Sequence, residues 1–412
     1  MAKRGDKRVT NNIVMLYILN ITQLALPLVT LPYLTRVLSV SGYGIVSYVK
    51  SLIIYATLII EFGYLLSGTR EVVNAKSDKQ KLGLIMGRIT EAKLLLSLVA
   101  FAALLGMIAV VPLLHRYPIF TILSFGTPFL SIFLFDYLFR GLERMEIITY
   151  RFLIMKSIST VLTFVLIHGD QQLLLIPLLD VLGSLVAIIW VWHEIRKMGI
   201  HIKFDRLVNV WDSLKVSFTY FISNVASTAF GALNTLFVGI YLSAADVAYW
   251  GLIMTMIGAV QSLYTPISDG IYPHMIATKS LCLLGRIVLL FTPLLVLGGI
   301  IAYFGAHLIM LIIGGSKYLI AAQYLRKCVP LLVISFYALI FGWPALGAID
   351  KVRETTITTL VAAVLQVIGL FLLIISHHFT LPLLILVRTL TEAVMAGMRM
   401  GYLWRFRKLF VK

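Results

Sequence analysis

Apolar windows of the length needed to cross the hydrocarbon core of a bilayer, about 20 residues, recur along the whole chain, each closed by charged positions. They predict helices over 13–34, 43–66, 92–114, 118–139, 148–167, 173–193, 214–241, 246–270, 286–313, 320–347, 355–376 and 380–404. Within several of these windows, polar residues return at steps of three and four. In 214–241 the series is Ser217, Tyr220, Asn224, Ser227, Gly231 and Asn234, which places one polar stripe on one helix face. Window 13–34 carries Asn20, Gln23, Pro27 and Thr30; window 43–66 carries Lys50, Thr57, Glu61 and Tyr64; window 246–270 carries Gln261, Thr265 and Ser268. Such stripes either bond neighbouring helices together or line a wet cavity. Their concentration on the leading helix pair of each half favours a shared cavity.

The halves are related. An offset of 204 residues brings Asn20 onto Asn224, Gln23 onto Ser227, Thr30 onto Asn234, Glu61 onto Thr265 and Leu38-Ser39 onto Leu242-Ser243. The fold expected is therefore an all-α polytopic membrane protein. Its twelve transmembrane helices form two pseudo-symmetric six-helix bundles, 1–205 and 206–412, around a central cavity. With an even number of spans per half, the copies share one topology and an axis along the membrane normal.

Composition strengthens the membrane assignment. The chain is 60% hydrophobic and 13% charged, with a mean hydropathy of +0.97, against about 25% charged in ordinary soluble domains. The net charge of +17 would suggest nucleic acid in a soluble protein, but here it reports basic cytoplasmic loops, so no nucleic-acid partner is expected. Sorting Lys and Arg by segment puts 28 on the side of the N-terminus and five (Arg36, Arg116, Lys317, Arg326, Lys327) on the other, which makes both termini cytoplasmic. The basic start resembles a signal-peptide leader, yet the following apolar stretch is too long and lacks a cleavage site, so it reads as a retained first span. Cys282 and Cys328 fall near opposite faces and are expected to be unpaired.

Lys50 and Arg388 remain inside predicted spans. Lys50 lies about 10 Å below the outer end of its window at 1.5 Å per residue, too deep for its stem to carry the ammonium fully into water. A charge there costs at least about 2.5 kcal/mol by insertion scales, which makes it a functional candidate. Its repeat counterpart, Met254, is apolar, so the lysine is no part of a shared scaffold. Arg388 precedes Glu392 by one turn, so an internal ion pair competes with a cavity role. Glu61, three turns below Lys50, is a carboxylate that either serves ion coupling or simply reaches the inner interface, and Asp180 is a comparable candidate for coupling. No nucleophile elbow, phosphate-cradling glycine loop or metal-ligand spacing appears, so neither an enzyme nor a cofactor or metal is expected. Every outer loop is short, which disfavours a membrane glycosyltransferase or polymerase.

The stretch Leu31 to Gly44, with Arg36, Gly42 and Gly44, followed by Glu61-Phe62-Gly63 and Ser67-Gly68-Thr69-Arg70-Glu71, resembles the opening of the polysaccharide transporter family, the Wzx-type flippases. These share a superfamily with lipid II flippases and multidrug MATE exporters. The match covers about 13–72; Ser39-Val40-Ser41 departs from the Gly-Pro turn common there. The resemblance implies a flippase in the bacterial cytoplasmic (inner) membrane. Its cargo would be an undecaprenyl-pyrophosphate-linked oligosaccharide for O-antigen, capsule or exopolysaccharide, moved to the outer leaflet by alternating access. Membrane lipid, a polysaccharide polymerase and a chain-length regulator become candidate partners. Lys50 and Arg388 would then meet pyrophosphate, while Asn20, Gln23, Thr30, Asn224, Ser227, Asn234 and Gln261 would meet sugar hydroxyls. The alternative within transporters is a MATE-type exporter of cations, for which an acidic cavity would be expected.

Overall fold

The computed structural model describes residues 2–205 and 207–410; the side chains of residues 2–10, 13, 207, 223 and 226–232 are not among those described. The chain forms two compact units, Met1–Ile240 and Tyr241–Lys412. The first contains α1 (Ala2–Val37), α2 (Val40–Glu61), α3 (Tyr64–Asn74), α4 (Lys79–Val110), α5 (Pro112–His115), α6 (Pro118–Ser131), α7 (Asp136–Gly141), α8 (Met145–Leu166), α9 (Leu175–Met198) and nearly all of α10 (Leu207–Tyr241). The second contains α11 (Ala244–Ser262), α12 (Tyr264–Thr278), α13 (Leu281–Phe304), α14 (Ala306–Gly314), α15 (Ala321–Ile340), α16 (Val352–Ile375) and α17 (Leu381–Arg405). No β-strand occurs among the described residues. The sequence division at 205/206 precedes α10, whereas the compact units part at that helix's C-terminal end.

Eleven helical stretches among the described residues are long and apolar enough to cross a membrane. The chain is thus a multi-pass membrane protein. The eleven do not include α10, a helix of 35 residues that contains the predicted span 214–241. Large apolar side chains such as Val110, Leu289, Leu290, Phe304 and Ile375 are exposed, as a lipid-facing surface requires, since hydrocarbon tails are as apolar as the side chains.

Several predicted helices are broken. The window 43–66 divides into α2 and α3 at Phe62 and Gly63, both left-handed, with φ of 42° and 80°. Gly63 answers two demands there: it takes positive φ without steric cost, and it leaves room for α10, since a Cβ would strike Ser217, Tyr220 and Phe221. The Ser67 and Ser217 hydroxyls share a 2.7 Å hydrogen bond across this approach. The windows 118–139 and 246–270 also contain two helices each, α6 with α7 and α11 with α12, the former broken at left-handed Phe135. After α15 the chain continues as a π-turn through Phe341–Leu346, where Pro344 cannot donate a backbone bond.

Helix α4 starts thirteen residues before its predicted window, at Lys79 rather than 92. Asp78 caps it, accepting from the backbone N–H of Gln80 (3.0 Å) and Lys81 (3.1 Å). The polar first turns of α4 hide it from a hydropathy window, although the Asp78 cap marks its start. The gap between the predicted windows 173–193 and 214–241 is also shorter than they imply: α9 ends at Met198, and α10 is under way by Leu207. Its residues lie along α4, where Gly83 and Gly87 leave space for the carbonyls of His201 and Lys203, and the Lys203 N–H donates to the Gly83 carbonyl (3.0 Å).

The core of the first unit gathers Tyr64, Met86, Ile89, Phe135, Leu138, Phe139, Ala187 and Val191. That of the second centres on Met275, Phe336, Ile340 and Leu346. Both cysteines are free, as expected.

Candidate functional site

Three helices of the first unit meet because small residues let them. On α9, Asp180, Gly183, Ser184 and Ala187 fall at helical spacing; Gly183 sits so close to the Met155 carbonyl of α8 that a Cβ would overlap it. Small residues are the usual means of bringing membrane helices together. The start of α8 is also pinned to α1: the Thr149 hydroxyl donates to the Met15 carbonyl (2.9 Å) and the Met145 N–H to Asn12 Oδ1 (3.3 Å). At the other end, the Tyr33 hydroxyl of α1 bonds the carbonyls of Phe164 (2.9 Å) and Ile167 (2.6 Å).

Between these anchors lies a polar cavity of about 110 Å³, bounded by α1, α2, α8 and α9. Gln23, Pro27 and Thr30 line it from α1, Lys50 from α2, Lys156, Ser159, Thr160 and Thr163 from α8, and Asp180 from α9. Lys156 Nζ stands 3.1 Å from Asp180 Oδ1, and the Ser159 hydroxyl donates to the same oxygen at 2.7 Å. Lys50 is close enough to interact electrostatically with both Asp180 and Lys156. It lies ten residues into α2, about 15 Å along the helix, deeper than its sequence window indicated. Two ammonium groups face one carboxylate, so the cavity carries a net positive charge. Pro27 also lacks the N–H that would pair with the Gln23 carbonyl one turn back.

Four sequence candidates are therefore brought together: Gln23, Thr30, Lys50 and Asp180. Thr30 donates within α1, to the carbonyls of Leu26 (3.0 Å) and Pro27 (3.1 Å), leaving its lone pairs for a ligand. Asn20 is exposed on α1 and does not line the cavity; on α10, Asn224 is half-buried and Asn234 buried, and neither lines it. The Ser227 side chain lies outside the described residues. Lys156, which falls inside the predicted window 148–167, stands in the middle of α8, where Lys156, Ser159, Thr160 and Thr163 form a one-faced polar series.

Glu61 lies elsewhere. Its carboxylate accepts from Lys93 Nζ at 2.8 Å, and that lysine is 3% exposed, with its ammonium 5.5 Å from the centre of the Tyr137 ring. Lys93 belongs to the interior rather than to the basic segment 68–93, because α4 starts so early. Arg151 is likewise buried, paired with Asp136.

In the second unit, Gln261 is half-buried on α11 and Arg388 half-buried on α17. Arg388 interacts electrostatically with Glu392, but no ion pair within 4.0 Å joins them among the described residues, and its buried Nε has no hydrogen-bond partner. Arg399, three turns on, is a contrast. It donates to Thr358 Oγ1 (3.0 Å), Thr359 Oγ1 (2.9 Å) and the Ala338 carbonyl, tying α17 to α16 and α15. Among the described residues no cluster of three or more His, Cys, Asp or Glu is placed to hold a metal ion.

The profile of a family described as polysaccharide biosynthesis protein matches residues 9–279. The chain belongs to this family. It is 25% identical over 337 residues to a candidate O-antigen transporter of Escherichia coli (strain K12), covering 79% of this chain and 78% of that one. A candidate O-antigen transporter of Shigella dysenteriae is 26% identical over 271 residues, covering 64% and 66%. Among solved structures, an inward-facing multidrug-resistance MATE transporter of the MOP superfamily superposes with a TM-score of 0.65 at 14% identity, covering 97% of this chain and 98% of that one. A Vibrio cholerae MATE transporter gives 0.56 at 13% identity, covering 98% and 97%. At such identities the likeness is one of fold alone: this chain is folded like these MATE transporters.

Proposed function

We propose that this protein is a flippase that moves an undecaprenyl-pyrophosphate-linked oligosaccharide from the cytoplasmic to the outer leaflet of the bacterial cytoplasmic membrane by alternating access. The plan is twelve spans, α10 being the twelfth, with both termini cytoplasmic. The family and the O-antigen transporters it resembles support the cargo class. The observation that carries the chemistry is the net-positive cavity holding Lys50 and Lys156.

Such a cargo has an apolar tail that stays in lipid, a diphosphate that needs cations at depth, and sugar hydroxyls that need partners when they leave water. The cavity's size assigns it a share of this work. At about 110 Å³ it is several times smaller than pockets for drug-sized ligands, roughly 300–1,000 Å³, so it suits a phosphate group and not a sugar head. Lys50 contacts the diphosphate there. Arg388, with its unpaired buried Nε, offers a second cation; Gln23 and Thr30 meet phosphate oxygens in the cavity, and the polar positions outside it, such as Asn20, Asn224 and Gln261, serve the sugars. A polysaccharide polymerase and a chain-length regulator are the partners such a transporter would serve.

The likeness to MATE structures raises a second reading, export of cationic drugs. A cavity with two lysines to one aspartate repels cations, which favours the anionic cargo. In a strain deleted for the native gene, Lys50→Ala is expected to abolish surface polysaccharide and Lys50→Arg to restore most of it. Normal polysaccharide with both variants contradicts the diphosphate contact.

A further inference from the structure

Among the described residues, two lysine–carboxylate pairs of the first unit join one helix to another, and they differ in kind. In the Lys93–Glu61 pair the lysine is packed away, 3% exposed beside the Tyr137 ring, and only its carboxylate, at 28%, reaches a surface. Lys156 and Asp180 open onto the cavity, with side chains 34% and 21% exposed and the Ser159, Thr160 and Thr163 hydroxyls around them. A pair kept for stability gains from exclusion of water, because a low dielectric strengthens the attraction. An open pair beside a second lysine has another use: its carboxylate occupies the place of an anion.

We infer that Asp180 is a resident counter-ion that holds Lys156 while the cavity is empty and yields it to a diphosphate group when cargo enters. Binding then exchanges one ion pair for another. Lys156 turns from the carboxylate to a phosphate oxygen, Lys50 takes a second oxygen, and Ser159, released from Asp180, can donate to a third. No proton or electron changes hands. The exchange keeps affinity moderate, because the cargo competes with a group already in place, and a transporter must release what it binds. While cargo is bound the Asp180 carboxylate stands without its partner, a cost that adds to the competition and keeps affinity moderate, and it re-pairs with Lys156 as the cargo leaves, so the lysine is not left bare in the empty cavity.

This inference rests on the anionic cargo proposed above, and the test separates the two. The probe is inorganic pyrophosphate, titrated against the full-length protein in nanodiscs by calorimetry, with variants checked for monodispersity. Asp180→Asn is expected to bind pyrophosphate about tenfold more tightly than wild type, since the competitor is gone; Asp180→Ser serves if the asparagine variant is not monodisperse. Lys156→Gln binds more weakly, and in Asp180→Asn/Lys156→Gln the gain disappears. An isoprenyl pyrophosphate displaces the probe at lower concentration, identifying a lipid-borne group as the ligand; failure to displace it at all contradicts the inference. Wild type that binds pyrophosphate while Asp180→Asn binds it no more tightly, or a gain that survives Lys156→Gln, overturns the counter-ion role and leaves the flippase reading standing. Wild type that binds no pyrophosphate, but binds sodium through Asp180, overturns both.

Discussion

Lys50 and Glu61 sit on one helix three turns apart, and their surroundings give them different work. Lys50 faces a cavity with an aspartate and a second lysine; Glu61 is bonded to a buried lysine. Removing the carboxylate from a pair like Lys93–Glu61 leaves an uncompensated buried charge, which costs about 3–5 kcal/mol. Glu61→Gln is therefore expected to lower the Tm of the purified protein sharply, and Glu61→Gln/Lys93→Met to recover most of the loss. If the double variant is stable and transports normally, Glu61 has no coupling role; if it is stable and inactive, the coupling assignment holds. Lys50 was legible in the sequence because an apolar window surrounds it. Lys93 and Lys156 were not: Lys93 stands at the edge of window 92–114, where a basic residue reads as part of a loop until the helix start at Lys79 is known, and Lys156 follows Arg151 closely enough to read as the end of a basic segment.

At the scale of the helix, contact between α8 and α9 places the site. Gly183 permits it by lying against the Met155 carbonyl. Gly183→Val is expected to force the helices apart, weaken the Lys156–Asp180 pair and reduce surface polysaccharide at least tenfold at equal protein level. Gly258→Ala on α11, where an added Cβ has nothing within 4 Å, is expected to leave transport unchanged and to raise helix stability slightly. Equal behaviour of the two variants contradicts the close-contact account. The helix plan was read correctly for most windows because about 20 apolar residues leave a bilayer helix few alternatives. The breaks escaped notice because they depend on neighbours: Phe62 and Phe135 are aromatic residues in left-handed backbone, and Gly63 is needed only because α10 passes beside it. Hydropathy carries no trace of such contacts.

For the molecule as a whole, the sequence pattern suggests a division at 205/206, whereas the compact units part at 240/241. The exposed apolar side chains suit a multi-pass membrane protein, and the proposed cargo adds an electrical consequence. Outward movement of an anion is favoured by an inside-negative potential, about 2.3 kcal/mol per charge per 100 mV, so a diphosphate needs no coupled ion for this step. Collapsing the potential with valinomycin and potassium is expected to slow translocation more than collapsing a pH gradient does; the opposite order would point to a proton-coupled exchanger.

The central claim is tested most directly in proteoliposomes loaded on one leaflet with a fluorescent oligosaccharide on a polyprenyl-pyrophosphate, by following its exposure on the opposite leaflet. Wild type is expected to deliver the lipid across within minutes, with Lys50→Ala no faster than empty liposomes and Lys50→Arg close to wild type. Translocation by Lys50→Ala at the wild-type rate, or none by wild type under an imposed potential, would contradict the account.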